Sequence, residues 1–126
     1  MIVHLFRLLT LVFMIFLSSC ASMRFRNEVE IPASYKELFS YRGATLYGGS
    51  GLSISDPIII KGAKSTFYGI EAEKRFLDKN YPGHILSNQY LFEGKKRDRT
   101  LDCIEIFVSG GQKKKIYFDI TEFYGK

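Results

Sequence analysis

The sequence has few cysteines and histidines, the residues that most often bind zinc or form a thiol–imidazole pair. Its 126 residues include two cysteines, two histidines and no tryptophan. Outside the N-terminal segment only Cys103 and His84 remain, and counting across a predicted hairpin pairs Cys103 with about Gln89 and places His84 close to Val108. Side chains so far apart cannot exchange a proton, and one histidine with one thiol does not make a usual zinc site. We therefore expect no metal, no cofactor and no enzymatic activity.

The sequence also lacks an apolar run long enough to span a membrane. Residues 8–17 are apolar except for Thr10, and Arg7 and Ser18 bound the run. A spanning helix needs roughly 20 apolar residues, whereas the apolar middle of an export signal has about 7–15. Residues 1–19 are therefore predicted to be a signal peptide.

The signal ends in Leu17-Ser18-Ser19-Cys20, which resembles the lipobox of bacterial lipoprotein precursors. The resemblance implies cleavage before Cys20 by signal peptidase II and a thioether-linked diacylglycerol on its sulfur. Two or three acyl chains hold a protein stably on a membrane, because each buried methylene adds about 0.8 kcal/mol. Ala21 follows the cysteine, which by resemblance to the enterobacterial sorting rule favours the outer membrane, facing the periplasm. Residues 20–31 are interpreted as the lipidated cysteine and a tether.

Acylation of Cys20 would leave Cys103 without a disulfide partner. We therefore expect Cys103 to be a small buried residue. A reactive thiol would need a neighbour that lowers its pKa, and the surrounding sequence offers none.

Basic residues are in mild excess in the rest of the chain. Arg7 is the only Lys or Arg before Cys20, so 17 of the 18 follow it, together with all 13 Asp and Glu. This balance falls short of the basic footprint of a nucleic-acid-binding protein. Two clusters stand out. The first is a loop that either is simply solvated or contacts an anionic surface through Lys95, Lys96, Arg97 and Arg99. The second, residues 113–115, is expected to lie a strand length away, where it either is solvated or protects an edge strand against aggregation.

The pattern after residue 57 predicts an α+β fold, in which one helix packs on a small mixed/antiparallel sheet. A strand at 58–60 precedes a helix that starts at Ser65 or Thr66 and ends near Asn80, and a three-stranded meander follows at 84–92, 100–108 and 113–120. Glu71 and Glu73 are expected to favour the helix dipole. If the first strand neighbours the 84–92 strand in parallel, the connection should be a right-handed crossover.

The segment before residue 57 gives weaker signals. Residues 35–41 are predicted to form a short helical turn and residues 43–51 a flexible, glycine-rich turn, since the stretch lacks the ending of a P-loop. The aromatic side chains here either cover the open sheet face or form a surface for a protein partner: Tyr35, Phe39, Tyr41 and Tyr47. Residues 32–126 are thus one domain with its core at about 57–126. It ends in a helical turn that places Phe123 and Tyr124 on the core.

Five stretches from Gly48 to the C-terminus form a recognisable pattern: 48–51, 58–60, 71–73, 81–83 and above all the ending IYFDITEFYGK at 116–126. In these stretches the chain resembles a family of small uncharacterised bacterial lipoproteins. The resemblance implies a discrete fold and no particular activity. We expect a membrane-anchored, non-enzymatic binding or structural module of the cell envelope, with an envelope protein as partner. The alternative is an anchored inhibitor or immunity protein that acts on a periplasmic or secreted enzyme. A thiol enzyme would require an exposed Cys103.

Overall fold

The computed structural model describes residues 29–94 and 98–126. Its elements are β1 (Lys36–Tyr41), β2 (Ala44–Gly48), β3 (Ile58–Lys61), α1 (Thr66–Asn80), β4 (Ile85–Glu93), β5 (Thr100–Phe107) and β6 (Lys113–Asp119). The strands form one mixed sheet in the order β1-β2-β3-β6-β5-β4, and α1 packs on one face. The predicted α+β class is confirmed, with two more strands than expected. Within the described ranges, no helix is long and apolar enough to cross a membrane.

The helix α1 begins and ends where the sequence predicts. Ser65 is extended, and its hydroxyl accepts a hydrogen bond from the Tyr68 N–H at 3.4 Å, which is the usual N-cap arrangement. The buried face carries Gly69, Ala72, Glu73, Phe76 and Leu77. Positions 69, 73, 76 and 77 follow helical periodicity, so Glu73 faces the sheet. No acidic residue lies in the first turn of α1, where the helix dipole acts, so the expectation that Glu71 and Glu73 favour the dipole is wrong.

The meander of β4, β5 and β6 is also confirmed, with both pairs antiparallel. At the turn between β5 and β6, the Val108 N–H donates to the Gln112 carbonyl at 2.9 Å, and Gly110 and Gly111 have φ of +90° and +78°. Cys103 lies opposite Tyr90, one residue from the predicted position. An irregularity between Leu86 and Asn88 shifts the register there, and no sequence count could include it.

Residues 35–41 do not form the predicted helical turn, and residues 43–51 are not simply a flexible turn. β1 and β2 form an antiparallel hairpin across Arg42 and Gly43, whose φ angles of 47° and 87° suit a two-residue turn. Phe39 and Tyr41 pack against the core from within the sheet. The aromatic residues of this hairpin are therefore part of the sheet and do not cover it.

The parallel neighbour of β3 is β6 and not β4, contrary to the sequence-based expectation. Ile58 lies opposite Phe118 and Ile59 opposite Asp119. β6 therefore occupies the middle of the sheet, and Lys113–Lys115 does not protect an edge strand. Among the strands that the structure describes, the edges are β1 and β4.

The hydrophobic core lies between α1 and the sheet. It begins earlier than residue 57, because Ala44 and Leu46 of β2 are fully buried in it. Phe123 is fully buried as expected, whereas Tyr124 is 46% exposed, contrary to expectation, and residues 121–125 form turns. On the other side of the sheet, the Tyr35 hydroxyl donates to Asp56 Oδ1 at 2.6 Å and ties the start of β1 to the loop before β3.

Candidate functional site

A groove separates α1 from the edge strand β4. The helix packs mainly over β1 and β2, so it leaves the β4 side of the sheet open. Two cavities of about 360 and 270 Å³ lie here, and Ile70, Glu73 and Gln89 line both of them. The two cavities are therefore parts of one feature, which we call the α1–β4 groove.

The walls of the α1–β4 groove are largely apolar. Leu91, Ile120 and Phe123 line the larger cavity, and Leu77, Leu86 and Ile104 line the smaller one. The polar groups that reach the larger cavity include Glu73, Asp102 and Gln89. An apolar pocket with a few convergent polar groups is the usual form of a small-ligand site.

Glu73 of α1 and Asp102 of β5 bring two carboxyl groups into this groove. Both residues are buried, with 1% and 3% exposure. Gln89 Nε2 donates to Asp102 Oδ2 at 2.6 Å. Within the described part of the chain, Asp102 Oδ1 and both oxygens of Glu73 have no hydrogen-bond partner. The Glu73 and Asp102 carboxyl groups can form a hydrogen bond with each other only through a proton on one of them. The three buried oxygens thus depend on one shared proton, an arrangement that proteins generally avoid.

The surroundings of Glu73 disfavour its ionised form. Burial, and then the negative charge of Asp102, raise the pKa of Glu73 well above its ordinary range. A neutral Glu73 beside Asp102 avoids two adjacent buried negative charges. The pair can therefore release a proton when a cation approaches, and it can donate or accept hydrogen bonds within the groove.

The sequence analysis missed both carboxyl groups, although each leaves a signal. Asp102 lies two residues before Ile104 and so shares the core-facing side of β5. Glu73 lies on the buried side of α1, four residues after Gly69. Neither signal predicts that the two carboxyl groups lie close together, because the distance between them depends on how α1 is placed relative to β5.

Cys103 and His84 lie apart in the sheet, as the strand count predicts. Cys103 is a fully buried free thiol, which confirms its expected position in the interior. His84 precedes β4, and its Nδ1 lies 2.9 Å from the Tyr81 carbonyl oxygen and 3.9 Å from Asp78 Oδ1.

Of the four residues predicted to contact an anionic surface, the structure describes only Arg99. Cys20, the predicted lipidation site, and Lys95, Lys96 and Arg97 lie outside the described residues. Arg99 is half-buried, and its Nε and Nη2 donate to Asp119 Oδ2 at 2.8 and 2.6 Å. In the second basic cluster, Lys113 and Lys115 lie 3.8 and 3.4 Å from the Glu105 carboxylate. These paired charges stabilise the fold, and the contact of the loop with an anionic surface stays a prediction.

The edge strand β4 forms a second candidate surface beside the groove. All nine of its residues are exposed. Ile85 is 66% exposed, Leu86 57%, Leu91 49% and Phe92 38%, and the strand has no proline and no lysine. Edge strands usually carry such residues to prevent pairing with other chains. An irregularity between Leu86 and Asn88 interrupts the regular strand, so the part of β4 that is open to an additional strand is 88–93.

Comparisons with known proteins do not identify the site. The chain gives no match to a protein-family model, a curated protein or a solved structure. Among residues 29–94 and 98–126 there is no cluster of three or more metal-ligating side chains.

Proposed function

We propose that this chain is a membrane-anchored bacterial lipoprotein whose folded domain binds another protein of the cell envelope, without catalysing a reaction. The observation that carries the binding role is β4, a nine-residue edge strand exposed along its whole length. An added strand would pair with the backbone of β4 and cover its apolar side chains.

The composition of β4 supports recognition by a structured partner. Its central seven residues, Leu86–Phe92, carry no charge, and its apolar side chains are distributed over both faces of the sheet. Leu86 lines the groove on the α1 side, whereas Ile85 pairs with Phe107 one position away and so points to the opposite face. A partner strand would therefore bury apolar area on both sides of its hydrogen-bonded backbone.

The anchor rests on Leu17-Ser18-Ser19-Cys20 and the apolar run before it. Cleavage and acylation at Cys20 would leave a short tether before the domain and would hold it at the outer membrane, facing the periplasm. Two observations on Cys103 support a non-enzymatic role. The residue is fully buried, and it lies on β5 away from Phe107, the end of the strand that is near His84.

Metabolic labelling tests the anchor. In the native host, labelled palmitate should enter the wild-type protein, and Cys20→Ala should abolish both labelling and processing. Ser18→Ala provides a control, because a small residue there keeps the cleavage pattern. Normal processing of the Cys20→Ala protein would contradict the anchor.

Crosslinking tests the binding role of β4. A photoreactive side chain at Ser87, which is exposed in β4, should capture one partner, and Ile85→Lys should reduce the yield at least tenfold. Phe67→Lys in α1 is the matched control, since Phe67 is 65% exposed and Ile85 is 66% exposed. In the purified complex, the amide exchange of β4 should slow.

The outcomes separate the two functions that the sequence leaves open. An enzyme partner that loses activity in the complex would identify the domain as an inhibitor or immunity protein. Equal capture by the Ile85→Lys and Phe67→Lys proteins, with unchanged amide exchange in β4, would contradict binding at this strand.

A further inference from the structure

The α1–β4 groove presents buried oxygen atoms that the described protein does not satisfy. Glu73 is 1% exposed and lines both cavities. Among the described residues, its two oxygens and Asp102 Oδ1 have no hydrogen-bond donor other than a proton shared between the two carboxyl groups, since Gln89 binds the other Asp102 oxygen. A buried acceptor without a partner is costly, and its position in a cavity wall points to a ligand that donates hydrogen bonds.

The chemistry of these atoms selects the kind of donor. When both carboxyl groups are ionised, three of their buried oxygens can accept hydrogen bonds from a ligand. An ammonium group carries three N–H donors, no acceptor and a positive charge. Hydrogen bonds between ammonium and carboxylate are about twice as strong as those between neutral groups. The lining beyond the carboxyl groups is aliphatic and aromatic, with Ile70, Leu91 and Phe123. Such a wall suits an alkyl chain.

We propose that the α1–β4 groove binds a primary alkylammonium group, with its nitrogen at Glu73 and Asp102 and its alkyl chain along the apolar wall. The group is either a free alkylamine or the side chain of a lysine on another polypeptide. This site uses side chains inside the groove, and so it depends neither on the lipid anchor nor on strand addition at β4.

Binding at this site is coupled to a proton. In the free protein, burial and Asp102 raise the pKa of Glu73 and so favour its protonated form. When the ammonium binds, the O–H bond of Glu73 breaks, the proton passes to solvent and the carboxylate pairs with the cation. The bound state thus has one positive charge between two negative ones, which the low-dielectric interior favours.

Other titratable groups also face the groove. Besides Asp102 from β5, they are Lys74 and Asp78 from α1, His84 before β4, Tyr90 from β4 and Tyr124 from the C-terminal turn. Asp78 is 73% exposed and Lys74 is 66% exposed. Solvent screens both of them, so they affect the ligand far less than the two buried carboxyl groups do.

The proposal is tested by calorimetric titration of the full Cys20→Ala chain, in a neutral detergent, with n-butylamine. Its four-carbon chain matches the lysine side chain, and butan-1-ol is the uncharged control ligand. Butylamine should bind, butanol should bind at least tenfold more weakly, and titrations in buffers of different ionisation enthalpy should show about one proton released. The dissociation constant should fall up to tenfold per pH unit while Glu73 is protonated in the free protein.

Variants locate the site. Glu73→Gln and Asp102→Asn should each weaken butylamine binding at least tenfold, and Glu73→Gln should abolish the proton release. Glu71→Gln is the matched control, because Glu71 lies on the same helix but does not line either cavity. If Asp102→Asn fails to fold, the proton release measured for the wild type and for the Glu73→Gln protein still tests whether butylamine binds at Glu73.

The source of the ammonium group is distinguished with a second ligand. The peptide acetyl-Gly-Lys-Gly-amide should bind as well as butylamine if a lysine side chain is the natural occupant, and at least tenfold more weakly if the groove takes free amines. The proposal is overturned if neither amine binds, if butanol binds equally well, or if Glu73→Gln leaves affinity and proton release unchanged.

Discussion

Arg99 directs two hydrogen bonds to a single carboxylate oxygen of Asp119. Its Nε and Nη2 lie 2.8 and 2.6 Å from Asp119 Oδ2, while Oδ1 accepts from the Thr121 hydroxyl at 2.6 Å and from the Thr121 N–H at 3.1 Å. The Asp119 side chain is fully buried in the central strand β6. Arg99 thus holds the end of the β4–β5 loop against the centre of the sheet.

Arg99→Ala should lower the free energy of unfolding by about 1–3 kcal/mol, because it leaves a buried carboxylate with part of its hydrogen bonds unmade. The exposed part of Arg99 keeps the cost below that of a fully buried ion pair. Urea denaturation of both proteins measures the difference. Lys64→Ala, at an exposed position, should change stability by less than about 0.5 kcal/mol. A similar small change for Arg99→Ala would contradict the structural role of the pair.

Gly69→Ala should destabilise the protein although alanine is the better helix former. A Cβ at this position would collide with the ring of Phe123, which is fully buried. The helix propensity gained is about 1 kcal/mol, whereas overpacking a core costs about 1–3 kcal/mol. Thermal unfolding should therefore show a lower Tm.

A double mutant separates the collision from other effects of Gly69→Ala. Phe123→Leu shortens the opposing side chain, so the combination with Gly69→Ala should be more stable than the sum of the single effects predicts. Strict additivity would mean that the two positions do not contact each other.

The stability of the free protein should fall as the pH rises through the titration of Glu73. Its pKa is raised in the folded state above an ordinary value near 4.5, so the folded state binds more protons than the unfolded state above that pH. The contribution is complete below about pH 4.5 and is lost as the pH approaches the folded pKa, with a slope of up to about 1.4 kcal/mol per unit.

Urea denaturation of wild type and Glu73→Gln between pH 5 and 9 measures this dependence. The variant should lack the Glu73 contribution. Its free energy of unfolding should therefore rise relative to that of the wild type as the pH increases. Glu71→Gln should follow the wild type. Parallel pH profiles for wild type and Glu73→Gln would show that Glu73 ionises normally in the fold.

Cys103 should react with alkylating reagents only after the fold opens. The residue is fully buried, and the stability of a small domain, about 5 kcal/mol or more, implies alkylation on the order of a thousandfold slower than in the unfolded chain. Mass spectrometry of the Cys20→Ala protein in buffer and in urea gives the two rates.

A positive control for access comes from Ser109→Cys in a Cys20→Ala, Cys103→Ala background. Position 109 lies in the exposed turn between β5 and β6, so this thiol should react at nearly the same rate in buffer and in urea. Rapid reaction of Cys103 in buffer would instead favour the thiol-enzyme class.

Hydrophobic periodicity was sufficient to locate α1, β3 and the meander, because each has a clear apolar pattern between glycine or proline signals. It failed for β1 and β2, where Phe39 and Tyr41 alternate over too few residues to outweigh the proline and serine that suggest a helix start. It also failed for the groove. The meeting of Glu73 with Asp102 joins positions 29 residues apart and follows from tertiary packing, which local patterns do not encode.

The position of β6 in the sheet constrains when the domain can fold. It is the last strand along the chain, yet it alone joins the β1–β2–β3 half of the sheet to the β5–β4 half. A chain that emerges from a ribosome or crosses a membrane pore with its N-terminal end first therefore presents two incomplete half-sheets until β6 follows. We therefore expect the sheet to close only when β6 enters between the two halves.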